Sequence, residues 1–136
     1  MTEVAAPALT VRVESFEGPL DLLLHLCRTS ELDLARLPIR TVTDQYLAHL
    51  EAAQFQDLDT AGSFMVMAAT LIYLKSNLLL PSTGEPADED LDPEAELLRQ
   101  ELAARLAEYA RVKALGAWLG AREAEQALIF GRTSAE

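Results

Sequence analysis

The segment between Asp57 and Pro81 constrains the fold more than any other part of the chain. Its large apolar residues recur every three or four positions, which is the period of an α-helix. Asp57 or Asp59 can cap the first turn, and Pro81 stops the helix because proline has no backbone N–H. The sequence therefore predicts a helix of about 21 residues, about 31 Å long at 1.5 Å per residue.

This predicted helix carries two apolar rows. The first consists of Phe64, Met67, Leu71, Leu74 and Leu78. The second lies about 100° around the helix axis and consists of Met65, Ala68, Ile72 and Leu79. One row is enough to pack on neighbouring helices, so the second predicts either a central position in a bundle or a surface covered by a partner. Because only two short helices precede it, a partner is favoured.

The composition predicts an all-α fold. Half of the 136 residues are hydrophobic but only 6% are aromatic, and a Leu- and Ala-rich apolar content favours helices over sheets. One helix is predicted from Pro19 to about Thr29, and a second is opened by Pro38 and fades near Ala53. Residues 10–14 alternate between apolar and polar side chains, which predicts a short extended segment. The whole is expected to be a small N-terminal domain of about three helices, an acidic linker and a long helix.

That long fourth helix is predicted to start at Asp92 and Pro93, a cap followed by a first-turn proline. Its apolar residues are interpreted as one stripe made of Leu98, Leu102, Leu106, Tyr109, Val112 and Leu119. Gly116 and Gly120 each cost a helix about 1 kcal/mol relative to alanine, so they predict a break or the close approach of another backbone. The apolar residues 127–130 are expected to dock outside this chain.

The net charge of −11 comes from 22 acidic and 11 basic residues. This balance argues against direct, nonspecific binding to duplex DNA, which needs clustered Lys and Arg. The acidity is concentrated in residues 85–101, which carry eight acidic side chains and one basic one. Residues 82–93 are accordingly interpreted as a flexible, self-repelling linker. A calcium loop is the alternative, but the spacing and the glycine position of an EF-hand are absent.

The side chains that could perform chemistry are few. Cys27 is the only cysteine, which excludes an internal disulfide framework and a Cys-rich zinc site, and it is interpreted as a small buried hydrophobe. His25 and His49 fall on different predicted helices without a metal ligand at suitable spacing, and are interpreted as partly exposed. No phosphate loop, nucleophile elbow or HExxH pattern occurs. The sequence predicts a protein that is not an enzyme and has no cofactor or metal site.

The location of the protein is predicted from two further features. No secretory signal is recognisable at the start of the sequence. The longest apolar stretch, residues 64–74, is shorter than the span of about twenty residues that crosses a bilayer. A cytosolic protein without a membrane segment is expected.

Four blocks of sequence occur in order between residues 16 and 81. They are FEGPLDLLLHL at residues 16–26, ELD at 31–33 with LPI at 37–39, QYL at 45–47, and the apolar segment from 64 to 81. Together they closely resemble bacterial segregation and condensation protein A, the kleisin subunit of the SMC condensin complex. The acidic linker and the fourth helix resemble the central region of that family more loosely.

The resemblance implies a bridging protein without chemistry of its own. Residues 1–81 correspond to the N-terminal helical domain, which bundles with the head-proximal coiled-coil neck of one SMC ATPase. Residues 94–136 correspond to the central region, which binds a dimer of the companion subunit, segregation and condensation protein B. The family's C-terminal winged-helix domain is expected to be absent, since six residues follow Phe130, and the chain is expected to be a fragment. DNA would be reached only through the complex, at the nucleoid in the cytoplasm, without a membrane.

The resemblance also gives candidate contact residues. The SMC neck is expected on one side of the third helix, at Met65, Ala69, Ile72, Tyr73 and Ser76, since small and flexible side chains suit packing beside a coiled coil. The companion subunit is expected at Leu98, Leu102, Tyr109, Trp118, Leu119 and Phe130. The alternative for the fourth helix is that it folds back onto the first domain. The alternatives for the protein are a helical interaction adaptor unrelated to chromosomes, such as a regulatory subunit, or a small enzyme without a recognisable motif.

Overall fold

The computed structural model describes residues 12–78 and 90–134, with side chains up to residue 129. The described chain forms four α-helices and no named strand, which confirms the prediction of an all-α fold. The helices are α1 (Pro19–Thr29), α2 (Ile39–Glu51), α3 (Leu58–Ser76) and α4 (Pro93–Ser134).

A short 3-10 helix, Val13–Ser15, precedes α1. The extended segment predicted for residues 10–14 is therefore wrong at its described C-terminal end, while residues 10 and 11 lie outside the described part. The backbone N–H and the hydroxyl of Ser15 both donate to the carbonyl oxygen of Arg12, at 3.1 and 2.7 Å. These hydrogen bonds close the turn and direct Val13 into the core, where its side chain is buried.

Helix α1 has the bounds that the sequence predicts. Pro19 stands in its first turn, and Asp21 accepts a hydrogen bond from the backbone N–H of Glu17 at 3.0 Å. A carboxylate at this end is favourable because the first N–H groups of a helix carry partial positive charge. Four leucines of α1 are buried together with Cys27, which confirms the interpretation of the cysteine as a core residue.

Helices α2 and α3 are joined by two buried hydrogen bonds. The Tyr46 hydroxyl donates to the Phe64 carbonyl oxygen at 2.8 Å, and the Thr43 hydroxyl donates to the Leu71 carbonyl oxygen at 3.4 Å. Both side chains of α2 are fully buried, so the two bonds fix the rotation of α3 about its axis. The buried side of α3 is the first predicted row, formed by Phe64, Met67, Leu71 and Leu74.

The ends of α3 are set by polar side chains. Asp57 caps the helix and accepts from the backbone N–H groups of Asp59 and Thr60, at 3.2 and 3.4 Å. The helix ends at Ser76, a few residues earlier than predicted. The side chains of Ser76 and Asn77 both donate to the Tyr73 carbonyl oxygen, at 2.8 Å each, and such local bonds compete with continuation of a helix.

The chain returns to the same place after α3. Leu78 pairs with Leu91 in an isolated antiparallel bridge. Residues 82–89 of the predicted linker lie outside the described residues, but the residues that flank the segment meet in this bridge. Helix α4 therefore starts beside the end of α3, with Asp92 accepting from the Ala95 N–H at 2.9 Å as its cap.

Helix α4 has 42 residues and is about 63 Å long at 1.5 Å per residue. Its docked half (residues 93–113) packs on α1 and α3 and buries Ala95, Leu102, Ala103 and Leu106 in the common core. Its projecting half (residues 114–134) extends beyond the other helices, and every side chain described there is exposed. The alternative in which the fourth helix folds back onto the first domain thus holds for the docked half.

The glycines of α4 do not interrupt it. The helix runs unbroken through Gly116 and Gly120, so the predicted break is wrong. A Cβ atom added at either position would meet nothing within 4 Å, so no other described part of this chain approaches the two residues. Good helix formers surround them, with alanine or leucine at positions 114, 115, 117, 119 and 121.

Candidate partner-binding surfaces

The side of α3 opposite the core is exposed and apolar. The outer face of α3 consists of Met65, Val66, Ala69, Ile72, Tyr73 and Ser76, all exposed. Residues at spacings of three and four share a helix face, so these six side chains form one continuous surface. Met65, Val66 and Ile72 are 51%, 68% and 49% exposed. The structure thus brings together the five residues predicted on the third helix.

Charge is absent along this part of the helix. Residues 62–74 contain no Asp, Glu, Lys or Arg, and Lys75 at the end of the helix forms an ion pair with Asp44 of α2 at 2.6 Å. Exposed helix faces normally carry charged residues, so an uncharged apolar face is typical of an interaction surface.

The six residues predicted on the fourth helix fall into two groups. Leu102 is only 2% exposed and belongs to the core, and Leu98 and Tyr109 are half-buried against it. Trp118 and Leu119 are exposed on the projecting half, while the side chain of Phe130 lies outside the described residues. The single stripe predicted along this helix is therefore wrong, because it follows the core as far as Tyr109 but is solvent-exposed at Val112 and Leu119.

The projecting half presents its own apolar surface. Val112, Leu115 and Leu119 follow one another at spacings of three and four, at its base and along its first turns, and each is more than half exposed. The guanidinium of Arg122 lies over the ring of Trp118, 5.1 Å from its centroid, which holds the indole against the helix through a cation–π contact. Residues 114–121 contain no charged side chain.

A polar cluster closes the contact between the docked half and α1. Lys113 forms an ion pair with Asp21, whose side chain is only 6% exposed. The Tyr109 hydroxyl donates to Glu17 Oε1 at 2.9 Å, and the second oxygen of Asp21 accepts the Glu17 N–H. Further toward the start of α4, Arg99 donates to the Arg36 carbonyl oxygen at 2.8 Å.

The surroundings in this cluster shift the pKa values of Asp21 and Tyr109. Burial by itself would raise the pKa of Asp21, but the hydrogen bonds from Lys113 and from the Glu17 N–H favour the carboxylate, and the net pKa lies below its usual value. Burial and the hydrogen bond to Glu17 raise the pKa of Tyr109. At neutral pH the cluster therefore contains an ionised Asp21 and a neutral Tyr109 whose hydroxyl donates a hydrogen bond to Glu17.

A groove of about 590 Å³ lies between the first turn of α1, α3 and the docked half. Its apolar lining includes Val66 and Met67 of α3 and Leu98 and Leu102 of α4. Through Val66 the groove is continuous with the outer face of α3. The docked half is therefore one wall of this groove.

Comparison with known proteins identifies the family. The family model described as segregation and condensation protein ScpA matches residues 26–136. The segregation and condensation protein A of Streptococcus uberis is 41% identical over 128 residues, which is 94% of this chain and 52% of that protein. Those of Halalkalibacterium halodurans and Bacillus cytotoxicus are 42% and 43% identical, over 90% and 89% of this chain and 47% and 49% of the relatives.

The chain belongs to the segregation and condensation protein A family. This confirms the resemblance stated from the four sequence blocks. The chain spans about half the length of the curated relatives it matches.

The side chains with reactive or metal-binding potential have structural roles in this family member. Burial raises the pKa of the Cys27 thiol to about 11, so the thiol is protonated at neutral pH. The ring of His25 packs against that of Phe16, with 5.1 Å between the centroids and 50° between the ring planes. His49 is buried, which corrects the expectation of partial exposure, because its Nδ1 lies 2.9 Å from the Gln45 carbonyl oxygen and the ring folds against its own helix.

The described residues contain neither a cluster of metal ligands nor a membrane-spanning helix. Among residues 12–78 and 90–134, no three His, Cys, Asp or Glu side chains are placed to hold a metal ion together. None of the helices in this part of the chain combines the length and the apolar content that crossing a membrane requires.

Sequence reasoning missed three features of these surfaces. Val66 is more exposed than the other large apolar residues of the outer face of α3, and its spacing from Ala69 and Tyr73 could have included it. Leu115 could have been found in the same way, from its spacing to Val112 and Leu119. No local sequence pattern predicts the pairing of Asp21 with Lys113, because 92 positions separate the two residues.

Proposed function

We propose that this family member is a non-enzymatic bridging subunit in chromosome segregation and condensation. The name of its relatives, segregation and condensation protein A, supports a role in this process. The observation that carries the bridging role is the outer face of α3, which is apolar, uncharged and exposed on a helix whose other side is fixed in the core. A surface of this kind is suited to a protein partner.

The partner of the outer face of α3 is the head-proximal coiled-coil neck of an SMC ATPase. A coiled coil presents long helices, and helices pack on one another through rows spaced by three and four residues. The outer face provides such rows, with the small Ala69 between the larger Met65 and Ile72 and the small Ser76 one turn after Ile72. In this proposal residues 1–81 form the domain that binds the neck.

The second partner is the dimer of segregation and condensation protein B, hereafter the companion subunit. It binds the central region, residues 94–136, which follows the acidic linker at residues 82–93. The exposed Trp118 and Leu119 support this assignment, since a long helix with apolar side chains in water is favoured by a partner that buries them.

Contact with DNA is indirect in this proposal. A net charge of −11 opposes direct binding to phosphates, so the partners make the DNA contacts. The protein requires no cofactor, and its place is the cytoplasm, at the nucleoid.

The binding of the SMC neck is tested with Ile72→Glu. A carboxylate in the middle of the outer face would be buried without a partner, so neck binding should weaken by at least about thirtyfold, equivalent to about 2 kcal/mol. Isothermal titration calorimetry with an SMC head that retains its neck measures this. The matched control is Leu97→Glu, the same kind of change at a side chain of α4 that is 66% exposed and outside the outer face.

The two variants discriminate between a specific surface and a general effect of added charge. Circular dichroism should show the same helix content for both, because neither side chain is in the core. Neck binding by Ile72→Glu at the affinity of Leu97→Glu would contradict the assignment. Failure of the unaltered chain to bind the neck and the companion subunit would favour the generic interaction adaptor.

A further inference from the structure

We propose that the docked half of α4 is a displaceable cover, released from α1 and α3 when the companion subunit binds. The inference rests on the proposed function for the identity of the partner. It begins from a conflict in the placement of the predicted companion contacts. Leu102 is buried in this chain and Leu98 and Tyr109 pack against its core, so these side chains contact α1 and α3 or the companion subunit, but not both.

The cover is attached by two kinds of contact. Along most of its length it is attached by apolar packing, through Ala95, Leu102, Ala103 and Leu106. At its C-terminal end it is attached by polar groups, through the ion pair of Lys113 with Asp21 and the hydrogen bond of Tyr109 with Glu17. The polar end lies next to the projecting half, whose described side chains, at residues 114–129, are all exposed.

The geometry suggests where displacement starts. A companion subunit that first binds the exposed Val112, Leu115 and Leu119 would be adjacent to Lys113 and Tyr109. Continuing along the same helix requires these two residues to leave Asp21 and Glu17. Release of the docked half also removes one wall of the groove beside Val66, which couples the companion site to the outer face of α3.

Hydrogen exchange measured by mass spectrometry on the full chain tests the displacement directly. On addition of the companion subunit, amides of residues 114–129 should become more protected. Amides of α1 that lie under the docked half, at residues 20–24, should exchange faster because their cover has left. Protection of residues 114–129 with unchanged exchange in α1 would overturn the proposal, since the companion subunit would then bind the projecting half alone.

A charge-matched pair of variants gives a second test. Lys113→Gln removes the ion pair to α1, whereas Lys75→Gln removes an ion pair to Asp44 of α2, outside the region assigned to the companion subunit. A weaker cover lowers the cost of release, so Lys113→Gln should bind the companion subunit about three- to tenfold more tightly than the unaltered chain. Lys75→Gln should bind it with unchanged affinity.

The outcomes separate this inference from the proposed function. If the unaltered chain and both variants bind the companion subunit equally, the proposed function stands and the displaceable cover is wrong. If the unaltered chain does not bind the companion subunit, both are wrong. Tighter binding by Lys113→Gln alone supports the cover, because a purely structural role of Lys113 would leave the affinity unchanged or reduce it.

Discussion

Lys113, in the middle of α4, forms an ion pair with Asp21 in the first turn of α1. The pair joins residues 92 positions apart and lies at the end of the docked half, where α4 leaves the other helices. Asp21 also accepts the Glu17 N–H, so one carboxylate organises the start of α1 and holds α4 against it. Helices α1 and α4 are thereby part of one packed structure.

Replacement of Lys113 should destabilise the fold. In Lys113→Gln the carboxylate of Asp21 stays buried but loses its cationic partner, and we expect the free energy of unfolding to fall by about 1–2 kcal/mol. Urea denaturation followed by circular dichroism measures the change. Arg111→Gln is the control, and since its ion pair is exposed it should cost less than about 0.5 kcal/mol. Equal effects of the two variants would show that the pair with Asp21 does not stabilise the fold.

The carboxylate of Asp21 should make the free energy of unfolding depend on pH. The pKa of Asp21 is lowered in the folded chain from a reference value of 3.8, so its contribution is complete above that value and is lost as the pH falls through the lower folded pKa. The difference in unfolding free energy between the unaltered chain and Asp21→Asn should be constant above about pH 5 and shrink below about pH 4.

Comparison with the variant isolates this residue from other acidic groups. The pKa values of Glu14, Asp57 and Glu96 are also lowered, and these groups add to the acid sensitivity of both proteins equally. If the difference in unfolding free energy between the unaltered chain and Asp21→Asn stays constant down to pH 2, the pKa of Asp21 is not lowered.

The local features of the fold were predictable from the sequence and the long-range ones were not. The cap at Asp57, the start of α1 at Pro19 and the buried row of α3 follow from residues within a few positions of one another. The attachment of α4 to α1 does not, because an apolar stripe has the same pattern whether it covers its own domain or a partner. The sequence therefore assigned Leu102 to the companion subunit, while the structure places it in the core.

For the candidate surfaces, too, the local pattern was predictable and the long-range packing was not. All five predicted residues of α3 lie on its outer face, since the helix period alone determines which side chains share a side. On α4 the helix period also indicates where the apolar side that faces the core ends. A helix face that contains Leu102, Leu106 and Tyr109 next reaches Lys113 rather than Val112, so the apolar stripe that faces the core ends there.

Alanine at the glycines of α4 should stabilise the projecting half. Gly116→Ala and Gly120→Ala each place a methyl group in open space and remove backbone freedom from the unfolded chain, so each should gain about 0.5–1 kcal/mol of helix stability. The helical signal at 222 nm should persist to higher temperature in the double variant. Gly62→Ala in α3 is a control with equally open surroundings. Loss of helix content in the double variant would contradict an unbroken α4.

Replacing a leucine by alanine should lower the free energy of unfolding much more in the docked half of α4 than in the projecting half. Leu102→Ala opens a cavity in the core shared with α1 and α3, and we expect it to cost about 2–4 kcal/mol. Leu119→Ala changes a side chain that is 52% exposed on the projecting half, and should change the free energy of unfolding by less than about 0.5 kcal/mol. Chemical denaturation of both variants gives the values. Near-equal small effects would mean that α4 does not pack on the first three helices in solution, because only a docked helix makes the same leucine-to-alanine change costly at one position and harmless at the other.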